Sequence, residues 1–132
     1  MRARPAGVQI VQFNRETTNA LTIRSCEPGR IRVGETWYTQ NLIVAPDRVI
    51  EPWAAHHPAQ VTPQTLHHAL ELEPEILLIG TGSAYVMCDV ELIGALARQG
   101  IGAEVMDTAA ACRTFNVLVH EQRAVVAALF NC

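Results

Sequence analysis

The chain contains no lysine. All ten of its positive residues are arginines, scattered from Arg2 to Arg123 without forming a run. A Schiff base, a pyridoxal-phosphate attachment and a P-loop lysine are therefore excluded. Net charge is −3 and the isoelectric point about 5.9, so there is no basic footprint for nucleic acid. Serine is nearly as scarce. Ser25 and Ser83 are the only two, and neither lies in G-x-S-x-G, which removes the α/β-hydrolase elbow. Aromatics make up 5% of the chain. Trp37, Tyr38 and Trp53 read as core or rim aromatics, because no basic groove accompanies them as a stacking platform would require. The longest apolar run, 124–130, falls well short of the roughly 20 residues that span a bilayer, so no membrane insertion is expected. The basic start, M-R-A-R-P-A-G, is followed by no apolar h-region. It does not read as a secretory signal, and a cytoplasmic location is expected.

The four cysteines, Cys26, Cys88, Cys112 and Cys132, form no C-x-x-C pair. Their spacings suit neither a zinc site nor a disulfide framework, so reduced thiols are the expectation. His56-His57 and His67-His68 resemble metal ligands at first sight. Adjacent histidines on a strand or loop point apart, however, and H-E-x-x-H is absent, so surface or loop histidines are expected and neither metal nor cofactor is assigned. What is present is globular. The chain has 132 residues, 49% of them hydrophobic and 17% charged. That suits one domain over 1–132, in which roughly 68% of the unfolded surface can be buried. Residues 1–7 are expected to be disordered, 8–60 strand-rich, and 61–132 an alternation of helix and strand.

In the first half, Val8 to Phe13 reads as a strand or extended arm and Ala20 to Cys26 as an alternating strand. Glu27-Pro28-Gly29-Arg30 is a turn signal, and Ile31 and Val33 open the return strand of a hairpin. Trp37 to Ala45 continues strand-like, Pro46-Asp47 breaks it, Arg48 to Glu51 is a short strand, and Pro52 to Gln60 is a loop. The first-half strands are expected to form a smaller β layer. In the second half, Thr62 with Pro63 starts a helix that Pro74 stops. Ile76 to Ile79 lacks polar residues and reads as a strand buried on both faces. Asp89 caps a helix ended by Gly100. Ala103 to Met106 is a strand, a helix runs from Asp107 or Thr108 to about His120, and Arg123 to Phe130 is a final strand, parallel or antiparallel. The order is β-α-β-α-β, a sheet with helices packed on it.

Ligands of open α/β sheets gather outside the carboxyl ends of parallel strands. Two such ends carry Gly80-Thr81-Gly82 and Asp107-Thr108. Gly80 and Gly82 let the backbone turn tightly, and exposed N–H groups there suit an anion. The Rossmann reading fails, because Tyr85 stands where G-x-G-x-x-G needs its third glycine. On the following helix, Ala111, Thr114, Phe115 and Leu118 share the side that faces the sheet. Ala109, Arg113, Asn116 and His120 share the other, with Cys112 at its border. One reading is structural: Asp107 and Thr108 cap, Cys112 packs, and Arg113 and Asn116 face water. The other is a ligand pocket of Gly80, Thr81, Gly82, Asp107, Thr108, Cys112, Arg113 and Asn116, in which Arg113 binds an anion. Cys112, near a helix N-terminus and beside Arg113, is a candidate nucleophile without an adjacent base.

Several strings in order, L-L-I-G-T-G (77–82), G-I-G-A-E-V-M-D-T (100–108), A-A-A-C-R-T-F-N-V-L (109–118) and E-Q-R-A-V-V-A-A-L (121–129), resemble a small-domain family. That family includes mitochondrial respiratory complex I assembly factor 3, an adipogenesis-associated cytoplasmic protein and many uncharacterised bacterial and archaeal proteins. G-R-I-R-V-G-E-T-W-Y (29–38) is similar to the family's G-x-I-x-V segment. The resemblance covers roughly residues 8–130. It implies a three-layer α/β domain with a central mixed sheet whose last strand is antiparallel to the others. It implies no established catalysis, and a protein partner such as a respiratory-complex subunit or assembly factor. The chain departs from the family at Gln122, where glycine is usual, and over Ser83 to Cys88, which lacks a usual proline. The leading expectation is an accessory or interaction protein, a monomer or a weak homodimer. The rival is an anionic-ligand binder or enzyme at the 80–82 turn and the 107–116 helix start.

Overall fold

The computed structural model describes residues 9–13 and 20–132, with side chains from residue 20 onward. The expected disorder of 1–7 and the strand start at Val8 lie outside the described residues. The first half supplies six strands: β1 (Gln9–Phe13), β2 (Ile23–Glu27), β3 (Arg30–Val33), β4 (Thr36–Tyr38), β5 (Leu42–Ala45) and β6 (Arg48–Glu51). A 3-10 turn (Pro58–Gln60) and a short helix α1 (His67–Leu70) lead to β7 (Ile76–Thr81). Then follow α2 (Val90–Arg98), β8 (Gly102–Met106), α3 (Thr108–His120) and β9 (Val125–Phe130).

The first-half strands divide between two sheets. β2, β3 and β4 form a three-stranded antiparallel meander, whereas β1, β6 and β5 join the central sheet in the order β1-β6-β5-β9-β7-β8. The smaller layer is thus β2–β4 alone. The chain changes sheet at Thr39–Asn41, where Asn41 accepts from the Asn131 N–H and donates to the Ala55 carbonyl. β9 runs parallel to β7 and antiparallel to β5. The resemblance had implied a last strand antiparallel to the others. The reason for the difference is the crossover: α3 carries the chain back along the sheet, so β9 starts at the same end as β7 and β8.

Strand alternation sorts the core. Leu78, Val125, Ala127, Leu129, Leu42 and Val44 face α3 and the meander. Leu77, Ile79, Val126, Ala128, Phe130 and Ile43 face α1, α2 and the 52–61 loop. Both faces are covered, which is why β7 and β9 read as unbroken apolar runs. The helix expected from Thr62 is shorter than its signal. Thr65 Oγ1 donates to the Gln60 carbonyl and accepts from the Thr62 N–H, and the Trp53 indole N–H takes the Thr65 carbonyl. These bonds hold the first turns in a non-helical form. At 122, glutamine keeps the backbone that glycine favours, with φ 61°.

Candidate functional site

The helices on either side of β8 lie on opposite faces of the sheet: Leu92 and Leu96 of α2 pack into one core layer, Ala111 and Phe115 of α3 into the other. The connections leaving adjacent β7 and β8 therefore diverge, and a crevice at their carboxyl ends is expected. Here Thr108 fills it. Its hydroxyl, fully buried, donates to the Phe130 carbonyl at 2.6 Å and accepts from the Gly82 N–H at 2.7 Å. Its own N–H donates to the Gly82 carbonyl at 2.9 Å. One side chain thus joins the ends of β7 and β9 to the first residue of α3.

Gly80 makes this approach geometrically feasible. A Cβ there would lie 2.8 Å from Leu129 Cδ2 and 3.0 Å from the Thr108 backbone. Thr81, also buried, donates its hydroxyl to the Ala84 carbonyl at 2.7 Å and accepts from the Val86 N–H at 3.0 Å. It also reaches the Met106 carbonyl at 3.3 Å, touching the end of β8. Asp107 caps α3 by accepting from the Ala110 N–H at 2.9 Å. Asn116 is half-buried under the meander. Its amide accepts from the Ile23 N–H and donates to the Ile23 carbonyl, both at 2.8 Å. This two-point clamp sits beside the β2–β3 irregularity between Ile23 and Ser25 and docks β2 on α3. Cys112 is buried, and burial pushes its thiol up to about 12 despite the opposing influence of Arg113. A thiol so held is almost wholly protonated at neutral pH and is a poor nucleophile. Arg113 stands exposed on α3.

An open cleft of about 430 Å³ lies next to this junction. It is lined by Gly82, Ser83, Asp107 and Ala109, by Cys26 with the Glu27-Pro28 turn, and by the Asn131–Cys132 segment. Of the eight residues that sequence patterning grouped as a pocket, two, Gly82 and Asp107, reach this cleft. Gly80, Thr81, Thr108 and Asn116 are engaged in the junction and clamp just described. Its charged lining is acidic, from Glu27 and Asp107.

Cys26 and Cys132 in the cleft wall are joined by a disulfide, with Cα atoms 5.8 Å apart. The expectation of four reduced thiols is thus corrected. Cys88 and Cys112 alone are free, and both are buried. The spacing of 106 residues hid the pair, because only tertiary folding brings the β2 end against the segment after β9.

Above the Gly82 turn, the segment leading to α2 holds large apolar side chains in water. Tyr85 is 59% exposed, Met87 69% and Val90 69%. Their sequence signal was an apolar run, Y-V-M, without helical or strand period, between a glycine turn and the Asp89 cap. Adjacent histidines were expected to point apart, but one pair converges on a single carboxylate, because it lies on a helix and not on a strand or loop. His67 and His68 both approach the Glu71 carboxylate, at 3.5 and 3.2 Å, and His57 caps the 3-10 turn. Among the described residues, no group of three or more potential ligands could hold a metal ion.

Fold and junction together define a three-layer mixed α/β domain whose strand-end crevice is closed by its own helix start, with a shallow acidic cleft and an apolar rim beside it. The chain belongs to the family described as protein of unknown function DUF498/DUF598, which matches residues 23–130. A relative in Xenopus tropicalis, named NADH dehydrogenase [ubiquinone] 1 alpha subcomplex assembly factor 3, is 34% identical over 107 residues, covering 72% of this chain. The matched region spans 58% of that relative's length. A Francisella tularensis subsp. holarctica protein named 13 kDa major membrane protein is 33% identical over 94 residues, covering 70% of this chain and 75% of its own. A solved structure from Bordetella parapertussis superposes with a TM-score of 0.79 at 35% identity, covering 86% of this chain and 97% of that one. Among the described residues, no helix is long and apolar enough to cross a membrane.

Proposed function

We propose that this chain is an accessory protein that docks a protein partner through the rim formed by Tyr85, Met87 and Val90, in the assembly of a respiratory complex. The carrying observation is that these side chains are exposed on a segment shaped from below. The buried Thr81 hydroxyl accepts from the Val86 N–H and donates to the Ala84 carbonyl, so the loop is organised before any partner arrives. A preorganised apolar rim loses less entropy on binding than a loose one. Tyrosine and methionine are enriched where proteins recognise one another. The neighbouring Asp89 and Glu91 are exposed, which suits a partner with an apolar centre and basic edges. The kinship with proteins named as complex I assembly factors supplies the partner class.

The rival reading, a binder of small anionic ligands, has less support. No arginine is among the lining residues of the cleft, Arg113 included, and its Glu27 carboxylate is paired with Arg30 at 2.8 Å. The deciding experiment is affinity capture with wild type and a Tyr85→Ser/Met87→Ser double variant, alongside complex I assembly in a deletion strain. Recovery of a respiratory-complex subunit by wild type, lost in the double variant, is the expected result. Normal complex I in the deletion strain together with no subunit recovered would overturn the reading.

A further inference from the structure

Independently of any partner at the rim, the Cys26–Cys132 bond has the setting of a reactive group. We propose that it is a thiol–disulfide exchange site, opened by a thiolate that enters the cleft beside Ser83 and Asp107. Both cysteines are half-buried and line the cleft, whereas Cys88 and Cys112 are enclosed in the two core layers. An entering thiolate has room, since the cleft volume of about 430 Å³ lies in the range of small-molecule sites, roughly 300–1,000 Å³. Ser83 in its lining is exposed and small.

The two cysteine-bearing segments are also held together without the sulfur bond. The Gly29 N–H donates to the Cys132 carbonyl at 2.6 Å. The segment that carries Cys132 is fixed separately on the β4–β5 connection: the Asn131 amide donates to the Tyr38 and Gln40 carbonyls at 3.1 and 2.9 Å, and the Asn131 N–H donates to Asn41 Oδ1 at 2.8 Å. Reduction therefore leaves two thiols as neighbours, and re-formation of the bond is intramolecular.

The exchange balances with a dithiol or two monothiols as co-reactant. The entering thiolate attacks one sulfur of the pair, forming a mixed disulfide and releasing the other cysteine as a thiolate, which takes a proton from water. A second thiolate of the reductant attacks its own sulfur in the mixed disulfide and releases the remaining cysteine. The reductant leaves as a disulfide, this chain holds two thiols, and two electrons have been transferred. An oxidised partner of the same class reverses each step. The reductant's source is either a low-molecular-weight thiol or a protein dithiol.

The test treats the native, oxidised protein with reduced glutathione in one arm and a C-x-x-C protein dithiol in the other. Acid quenching, alkylation and peptide mass spectrometry then locate the thiols. The expected result is paired alkylation of Cys26 and Cys132, with Cys88 and Cys112 unlabelled and near-ultraviolet circular dichroism retained. Oxidised glutathione should restore the bond. Ser83→Trp, which puts a large side chain in the cleft lining, should slow opening at least tenfold in the native protein and leave the rate in denaturant unchanged. Opening by reduced glutathione, with a glutathione adduct on Cys26 when Cys132→Ser is treated with oxidised glutathione, assigns the small thiol; opening by the protein dithiol alone assigns the protein. Either supports the proposal. Opening only at the rate of global unfolding, or loss of the native near-ultraviolet signal on reduction, would overturn it. The wild-type measurement decides by itself should Ser83→Trp not fold.

Discussion

The junction around Thr108 and the rim around Tyr85 are built on the same turn and use it in opposite ways. At the junction, polar groups are buried and bonded: the Thr108 hydroxyl has one donor and one acceptor partner, and the Thr81 hydroxyl is likewise engaged. At the rim, apolar groups that could have been buried stand in water. Polar residues at strand ends are usually read as recognition, and apolar residues as core. Here the polar residues assemble the fold and the apolar ones are free to meet something else. A buried hydroxyl left unpaired is costly, so a polar strand end that is enclosed must find its partners inside the protein.

The sharpest way to break the contrast is Thr108→Val. It keeps the shape and orphans the Gly82 N–H and the Phe130 carbonyl together, at about 1–3 kcal/mol each. Denaturant unfolding should show a loss of about 3 kcal/mol, while Thr108→Ser, which keeps both bonds, should lose less than about 1 kcal/mol. Gly80→Ala follows, at about 2 kcal/mol, because the new methyl meets the Thr108 backbone, which cannot yield as a side-chain tip would. A smaller and opposite effect is expected at Gln122. Relief of its left-handed backbone in Gln122→Gly should raise stability by about 0.5–1 kcal/mol, read as an increase in Tm.

At the rim the expectation reverses. Met87→Ser should change stability by no more than about 0.5 kcal/mol and yet weaken partner capture, because its side chain is mostly in water. The weakest effect belongs to Glu75, where the Arg123 guanidinium, and then the Ala124 N–H, hold the carboxyl below the usual carboxylate range. A lowered folded-state value contributes stability above the ordinary carboxylate range that disappears as pH falls through it. Thermal melts of wild type and Glu75→Gln should therefore differ slightly at neutral pH and converge in acid.

Much of the fold was legible because local signals agreed with tertiary need. The unbroken apolar run of β7 announced burial on both faces, and the Asp89 and Asp107 caps placed α2 and α3. The Pro28-Gly29 turn placed the β2–β3 hairpin. What escaped the sequence were decisions taken between elements. Nothing in Trp37–Ala45 says that one part of it stays in the meander and the next enters the central sheet. Asn116 looked like an outward-facing polar residue, and helical spacing was right about its side of α3. The β2 residue that meets it, Ile23, lies 93 positions away, beyond the reach of periodicity. Cys26 and Cys132 were separated in the same way.

The position of β9 has a consequence for how the chain comes into being. It is the last of the described strands in sequence and yet lies inside the sheet, between β5 and β7. Until a ribosome has delivered it, β5 with β6 on one side and β7 with β8 on the other have no strand between them to pair with. Thr108 likewise has no Phe130 carbonyl to meet. During synthesis the β5–β9 and β7–β9 pairings must therefore wait for β9, and the sheet cannot be completed before it is delivered.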